Sequence, residues 1–356
     1  MEPTKTEPGN GTEWRLNDVV IQLREWGTDR TYELPTATSG EWLVGAARTC
    51  EVRLNDERGF VSRRHARLSR DLVTWTITDN DSKNGLWLDN ARRPSFVLAP
   101  GIEVGIGSLR LVAESDRVIA LRAFLSRILG WSDERREQVD RALRAIREMA
   151  TQRFPLQLNG EGDLVSVARA LHQRALGDDK PFIVCDPRRL SMRSTPRSAE
   201  NFADVRAAMH AAAEGTLCVW AHRLPANFDL ARAELDRPGS RLRLVICNYA
   251  LSDGQERVPV GAAITLTDLA QRSAEVDRVI NEYAADAIIS LGAKRSSFTS
   301  DDLAWTKRRR PQSLGEIETT VTRLVALREW GTVTRAAGHL GITHVALSRW
   351  LDRRER

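Results

Sequence analysis

The chain has 356 residues, 42% hydrophobic and 28% charged, a size that favours two or three cored domains and a balance that excludes a disordered or fibrous chain. No run approaches about 18 apolar residues, and the polar start at residues 1–13 has no apolar leader core, so a cytoplasmic protein with no membrane contact is expected. Of the net charge of +5, residues 306–356 hold eleven Lys and Arg against five Asp and Glu, a local +6 that suits a nucleic-acid-binding element or, more blandly, a solvated basic tail.

Residues 1–13 read as a disordered tail. From 14 to 115, short β-rich runs such as 19–23, 75–78 and 109–112 alternate with Gly, Asn, Asp and Pro turns, which predicts an all-β sandwich. From 116 to 153 the period becomes helical, with Leu121, Phe124, Leu125, Ile128 and Leu129, then Val139, Leu143, Ile146 and Met149, so two linker helices are expected. Apolar runs at 156–158, 182–185, 217–220, 242–247 and 263–266 then alternate with helical patterns, which predicts a parallel α/β sheet buried on both faces over 154–305. Basic Lys307, Arg308, Arg309 and Arg310 before Pro311 mark a boundary, and 306–356 reads as all-helical with one tight turn. Cys50, Cys185, Cys218 and Cys247 lie far apart at no metal-ligand spacing; buried free thiols are expected, with no metal and no cofactor.

In the first domain, Gly45, Val61-Ser62-Arg63-Arg64-His65-Ala66 and Asp79-Asn80-Asp81-Ser82-Lys83-Asn84-Gly85 occur in the order and combination found in forkhead-associated (FHA) domains, phosphothreonine-binding β-sandwiches that residues 14–115 resemble. Loops clustered at one end of a sandwich would present the Ser62 hydroxyl, the Arg63 guanidinium and the Lys83 ammonium to a dianionic phosphate. By resemblance, Asn84 holds the ligand backbone. His65 is expected beneath the loops, with its ring nitrogens bonded to backbone. The family usually carries Arg after the glycine matched by Gly45; here the residue is Ala46, and Arg48 or Arg64 are the candidates to replace it. Two readings stay open: a working phosphopeptide site, or a structural or non-phospho docking module.

In the middle domain, Leu158-Asn159-Gly160-Glu161-Gly162-Asp163-Leu164-Val165 and Val167-Ala168-Arg169-Ala170-Leu171-His172 resemble the AAA+ domain of bacterial enhancer-binding proteins, activators of the alternative sigma factor. The loop is about two residues shorter than the family's phosphate loop and lacks its Gly-Lys pair and hydroxyl neighbour, so the lysine that reaches the terminal phosphates is missing. Gly160 and Gly162 are read as turn residues. In Gly215-Thr216-Leu217-Cys218-Val219-Trp220-Ala221-His222-Arg223-Leu224-Pro225, Trp220 and Ala221 stand where the family's carboxylates would hold magnesium, and the stretch 186–213 lacks the Gly-Ala-Phe-Thr-Gly-Ala loop. The expectation is a degenerate AAA+-like domain, enzymatically silent and serving as relay or oligomerisation element; residual nucleotide sensing is the alternative.

The C-terminal segment opens on Glu316-Ile317-Glu318, with Ile317, Val321, Leu324, Val325 and Leu327 on one face and Gly331 as its end. The following Thr332-Val333-Thr334-Arg335-Ala336-Ala337-Gly338-His339-Leu340-Gly341-Ile342-Thr343-His344-Val345-Ala346-Leu347-Ser348-Arg349-Trp350-Leu351 resembles the factor-for-inversion-stimulation (Fis) type of helix-turn-helix. Ala336 and Ala337 allow close helix approach, Gly341 takes the turn, and Leu340, Ile342, Leu347 and Leu351 form the seam. Thr343 caps the second helix, leaving Thr343, His344, Ser348 and Arg349 facing outward. By resemblance, His344 and Ser348 contact bases, while Thr334, Arg335, Arg349 and Arg353 grip phosphates. His339 is read as a helix-end residue, and Trp350 as packing into the three-helix core.

The function expected is a cytoplasmic, non-enzymatic transcription regulator, acting as a homodimer on duplex DNA and sensing a phosphothreonine-containing protein, such as a Ser/Thr kinase or its substrate. Two rivals are an FHA scaffold whose helical hairpin docks protein instead of DNA, and an ATP-driven sigma-factor activator, against which three separate motif losses argue.

Overall fold

The computed structural model describes residues 18–191, 199–249 and 262–355; the proposed tail at residues 1–13 lies outside them. Eleven strands build the N-terminal sandwich: β1 (Gln22–Glu25), β2 (Thr31–Glu33), β3 (Ser39–Gly45), β4 (Val52–Arg53), β5 (Ala66–Asp71), β6 (Thr74–Asp79), β7 (Leu86–Leu88), β8 (Ala91–Arg93), β9 (Ser95–Leu98), β10 (Glu103–Ile106) and β11 (Leu109–Glu114). One sheet has the order β2-β1-β11-β10-β7-β8 and the other β4-β3-β5-β6-β9. Alternation along the strands sends Leu68, Trp75 and Ile77 inward from one sheet and Leu23, Val104, Ile106 and Leu111 from the other. The buried Trp75 indole is satisfied by the Val20 carbonyl at 2.9 Å.

Two helices follow, α1 (Asp116–Leu129), capped by Ser115, and α2 (Arg136–Gln152). They are no free spacer. Val118, Leu121, Leu125, Leu143, Ile146 and Met149 share one core with Leu156 and Leu158 of the next domain, so the pair forms a layer of the α/β fold. The sandwich is anchored to this layer through Arg24, whose Nε donates to Glu114 Oε1 at 2.7 Å and whose Nη2 donates to Asp140 Oδ1 of α2 at 2.5 Å, all three residues being buried.

The α/β region contains β12 (Leu156–Asn159), α3 (Leu164–Ala175), β13 (Phe182–Cys185), β14 (Glu200–Phe202), α4 (Val205–Ala211), β15 (Thr216–Trp220), α5 (Asp229–Asp236), β16 (Arg243–Asn248) and β17 (Ala262–Thr265). Every pairing in the sheet, β14-β13-β15-β16-β12-β17, is parallel. Cys218 and Trp220 face α1–α3 while Leu217 and Val219 face α4 and α5, which makes the apolar runs continuous. Among the described residues of this region, only strand β14, with its polar sequence Glu-Asn-Phe at the sheet edge, has no counterpart among the expected runs. All four cysteines are buried and free.

The C-terminal region is helical: α6 (Val276–Leu291), α7 (Ser300–Arg308), α8 (Leu314–Trp330), α9 (Val333–His339) and α10 (His344–Glu355). Helix α7 runs through residues 305 and 306, where charge composition suggested a division. It is held from both sides: Thr299 and Asp302 form its capping box, and buried Asp302 accepts from Arg328 of α8 at 3.0 Å. Helix α8 places Ile317, Val321 and Val325 against Val279, Ile280 and Tyr283 of α6. Among the described residues, no helix is long and apolar enough to cross a membrane.

Candidate functional site

Three loops meet at one end of the sandwich, and buried His65 ties two of them together. The Ser62 N–H donates to its Nδ1 at 3.0 Å, so the ring proton sits on Nε2 and reaches the Gly85 carbonyl at 3.0 Å. Ser62 Oγ accepts from the Lys83 N–H at 3.1 Å, which leaves its own proton available to an incoming oxygen. Asn84 Nδ2 donates to the Phe60 carbonyl at 2.7 Å, fixing the amide with its carbonyl oxygen and second N–H uncommitted among the described residues. Buried Ser82 closes the loop base, donating to Asp79 Oδ1 at 2.5 Å and accepting from the Gly85 N–H at 2.8 Å.

The third loop, between β3 and β4, lies against the second: the Ala46 and Ala47 N–H groups donate to the Ser62 and Arg63 carbonyls at 3.1 and 3.0 Å. Gly45 makes this approach possible, because a Cβ there would lie 2.4 Å from the Arg63 oxygen and 2.8 Å from that of Ser62. The structure thus brings Arg48, Ser62, Arg63, Lys83 and Asn84 onto adjoining loops. Arg48, Arg63, Arg64 and Lys83 are exposed, with no ion-pair partner among the described residues. Asp56 shapes the same rim. Burial opposes its ionisation, but hydrogen bonds from the Val61 N–H and the Ser108 hydroxyl outweigh this and hold its carboxyl below the usual range. Phe60, half exposed beside Asn84, lies on this rim at a position that the motif did not flag; its signal is an apolar residue inside a polar loop.

At the start of α3, Gly160 and Gly162 adopt φ of +145° and +87°, and the Asp163 carboxylate caps the helix, accepting from the Ser166 N–H and Oγ. A carboxylate thus takes the position at a helix N-terminus that favours a phosphate. The beginning of α8 leans on this loop, with Ser313 Cβ 3.2 Å from where a Gly162 Cβ would be; beside it lies a cavity of about 410 Å³ lined in part by Arg135, Gly160, Asp163 and Ser313. At the end of β15, Trp220 stacks on Tyr249 at 4.8 Å and meets His222 edge-on at 5.5 Å, forming an aromatic cluster. Burial, Arg223 and Arg188 all push the His222 pKa down.

In the last three helices, Gly331 and Gly341 take φ of +67° and +61° at the two turns, and Thr343 Oγ1 accepts from the Ala346 N–H at 3.2 Å. Ala336, Ala337 and Leu347 are buried at the crossing of α9 and α10. Thr334, Arg335, Thr343, His344 and Arg349 are exposed, whereas Ser348 is half-buried rather than facing fully outward. Successive helical residues turn by roughly 100°, so with Leu347 buried the opposite face centres on Val345 and Arg349, and Ser348 falls on its flank. Val345, 42% exposed, was missed because a valine signals core. The Arg353 side chain lies outside the described residues. His339 stacks on Trp330 at 3.8 Å, and the Trp350 ring meets Trp305 of α7 edge-on at 5.8 Å.

Residues 42–107 match the family model of the FHA domain. Among solved structures, the chain is similar to the FhaA FHA domain complexed with the intracellular domain of Rv3910, at 29% identity and a TM-score of 0.23, covering 26% of this chain and 96% of that one. It is also similar to Mycobacterium tuberculosis Rv1747 FHA-1, at 29% identity and a TM-score of 0.22, covering 28% and 99%. The yeast Dun1 FHA domain in complex with a doubly phosphorylated peptide is similar at 19% identity and a TM-score of 0.22, covering 27% and 76%. No curated protein matches the chain. The N-terminal β-sandwich, with its His65-tied loops and the Gly45 contact, is an FHA domain.

Proposed function

We propose that this protein is a transcription regulator that binds a phosphothreonine-containing partner, such as a Ser/Thr kinase or its substrate, through its FHA domain and duplex DNA through α9 and α10. The observation that carries the first half is the loop cluster in which Ser62, Lys83 and Asn84 are pre-positioned among Arg48, Arg63 and Arg64, which have no ion-pair partner among the described residues. A phosphate dianion would meet a hydroxyl donor, an amide and several cations without any loop rearrangement. With Ala46 in place of the usual arginine, Arg48 or Arg64 supplies that contact, and affinity is modest.

The second half is supported by the turn at Gly341, the Thr343 cap and the exposure of Thr334, Arg335, His344 and Arg349 on one side of the hairpin. Residue order in the middle domain, with Asp163 capping α3 and Trp220 beside Tyr249, supports an AAA+-like element that has become an enzymatically silent relay. The regulator works in the cytoplasm. As a homodimer it would pair through a surface other than the apolar face of α8, which α6 covers.

The intact chain is expected to bind duplex DNA with salt-dependent affinity that magnesium–ATP leaves unchanged, and to release no phosphate from ATP. Arg349→Ala should weaken binding to all sequences alike and flatten the slope of log affinity against log salt by about 0.9. His344→Ala should cost about 1–3 kcal/mol on the best site alone. A folded chain with no salt-dependent affinity for any duplex would leave the hairpin as a protein-docking element, and the scaffold reading would replace this one.

A further inference from the structure

Gly85 is held at φ +72°, and a Cβ built on it would lie 2.3 Å from Arg92 Nε, 2.9 Å from Cζ and 3.0 Å from Nη2. The guanidinium of Arg92 therefore fills the volume that any side chain at position 85 would need, immediately beside the loop bearing Lys83 and Asn84. Arg92 stands opposite Trp87 in the β7–β8 ladder, and the Trp87 indole N–H donates to the Asn84 carbonyl at 3.0 Å. The hairpin and the ligand-facing loop are thus one unit.

The arginine is exposed, and no hydrogen bond or carboxylate engages it among the described residues. Arg110 and Arg144 contrast with it, since both pair with Glu103. A guanidinium steered into place by a glycine, with all its donors unused, is arranged for an acceptor supplied from outside. Arg48, Arg63, Arg64 and Lys83 leave these loops slightly positive despite Asp56 and Asp81 among them, which disfavours a basic ligand.

We infer that Arg92 reads a carboxylate flanking the phosphothreonine, so that the partner segment is an acidic phosphothreonine peptide. The inference rests on the phosphothreonine reading above. The test uses the intact chain and synthetic phosphothreonine peptides in which aspartate replaces alanine one position at a time on either side of the phosphorylated residue. For the unaltered protein, one position is expected to tighten binding by about tenfold, the scale of one charge-assisted hydrogen bond.

Arg92→Ala should erase that preference while the peptide still binds in a phosphate-dependent way, and Arg92→Glu should turn it into a preference for lysine at the same position. The gain of a lysine preference in the charge-reversed variant guards against a loss that merely reports misfolding. A flat aspartate scan, or a preference that survives Arg92→Ala, overturns the assignment while leaving phosphate recognition intact. Equal binding of phosphorylated and unphosphorylated peptides would instead overturn phosphate recognition, and this assignment with it.

Discussion

Asp140→Ala is expected to lower the stability of the intact chain by about 3–5 kcal/mol. Asp140 receives Arg24 Nη1 at 3.1 Å and Nη2 at 2.5 Å, together with the Gly27 N–H at 2.7 Å. Glu114 neutralises the other side of the same guanidinium and also pairs with Arg122 at 3.0 Å. Two cations and two carboxylates therefore balance where the sandwich meets α2, and Arg24, Glu114 and Asp140 are each no more than 1% exposed. Removing one carboxylate leaves net positive charge buried, and the cost is mainly that of the stranded guanidinium. Urea unfolding checks this; a change below about 1 kcal/mol would mean that water reaches the cluster and the anchor is weak.

Gly45→Ala is expected to weaken phosphopeptide binding by about a hundredfold or more, the equivalent of losing two charge-assisted contacts, and to destabilise the FHA domain by roughly 1–3 kcal/mol. The added methyl would meet the Ser62 and Arg63 carbonyl oxygens at 2.8 and 2.4 Å, and backbone atoms cannot swing aside as a side chain would. Relief requires moving the segment that carries Ser62 and Arg63, which breaks the bonds from the Ala46 and Ala47 N–H groups. Titration calorimetry with a thermal melt on the same sample separates the two effects. Unchanged affinity would show that the β4–β5 loop is not pre-positioned by this contact.

What could be read from the sequence depended on how local each determinant was. The meeting of Ser62, Lys83 and Asn84 on adjoining loops was legible because short loop motifs carry them, and the place of His65 because a histidine amid turn residues next to a strand invites a bond to backbone. The strand runs at 182–185 and 217–220 were legible because burial on both faces leaves no polar interruption. Edge strand β14 was not, since Glu200 and Asn201 carry no apolar pattern and its pairing with β13 is set by the sheet. The 305/306 division followed a run of positive charge, yet the packing of Trp305 on Trp350 and of Asp302 on Arg328 makes α7 part of the same helical layer as α8. The α1–α2 pair read as a linker because its periodicity names an apolar face and not what covers it. Arg92 was invisible for the same reason: its place beside Gly85 comes from the β7–β8 register and a missing Cβ.

The central claim is that the loops tied by His65 form a phosphate reader despite Ala46. Calorimetric titration of the intact chain with a phosphothreonine peptide and its unphosphorylated twin tests this most directly, repeated on Arg63→Ala. The account expects binding of the phosphorylated peptide alone, weakened by rising salt and weakened more than tenfold in Arg63→Ala, in line with about 1.5–3 kcal/mol for one charge-assisted bond. Identical titrations for the two peptides would contradict it.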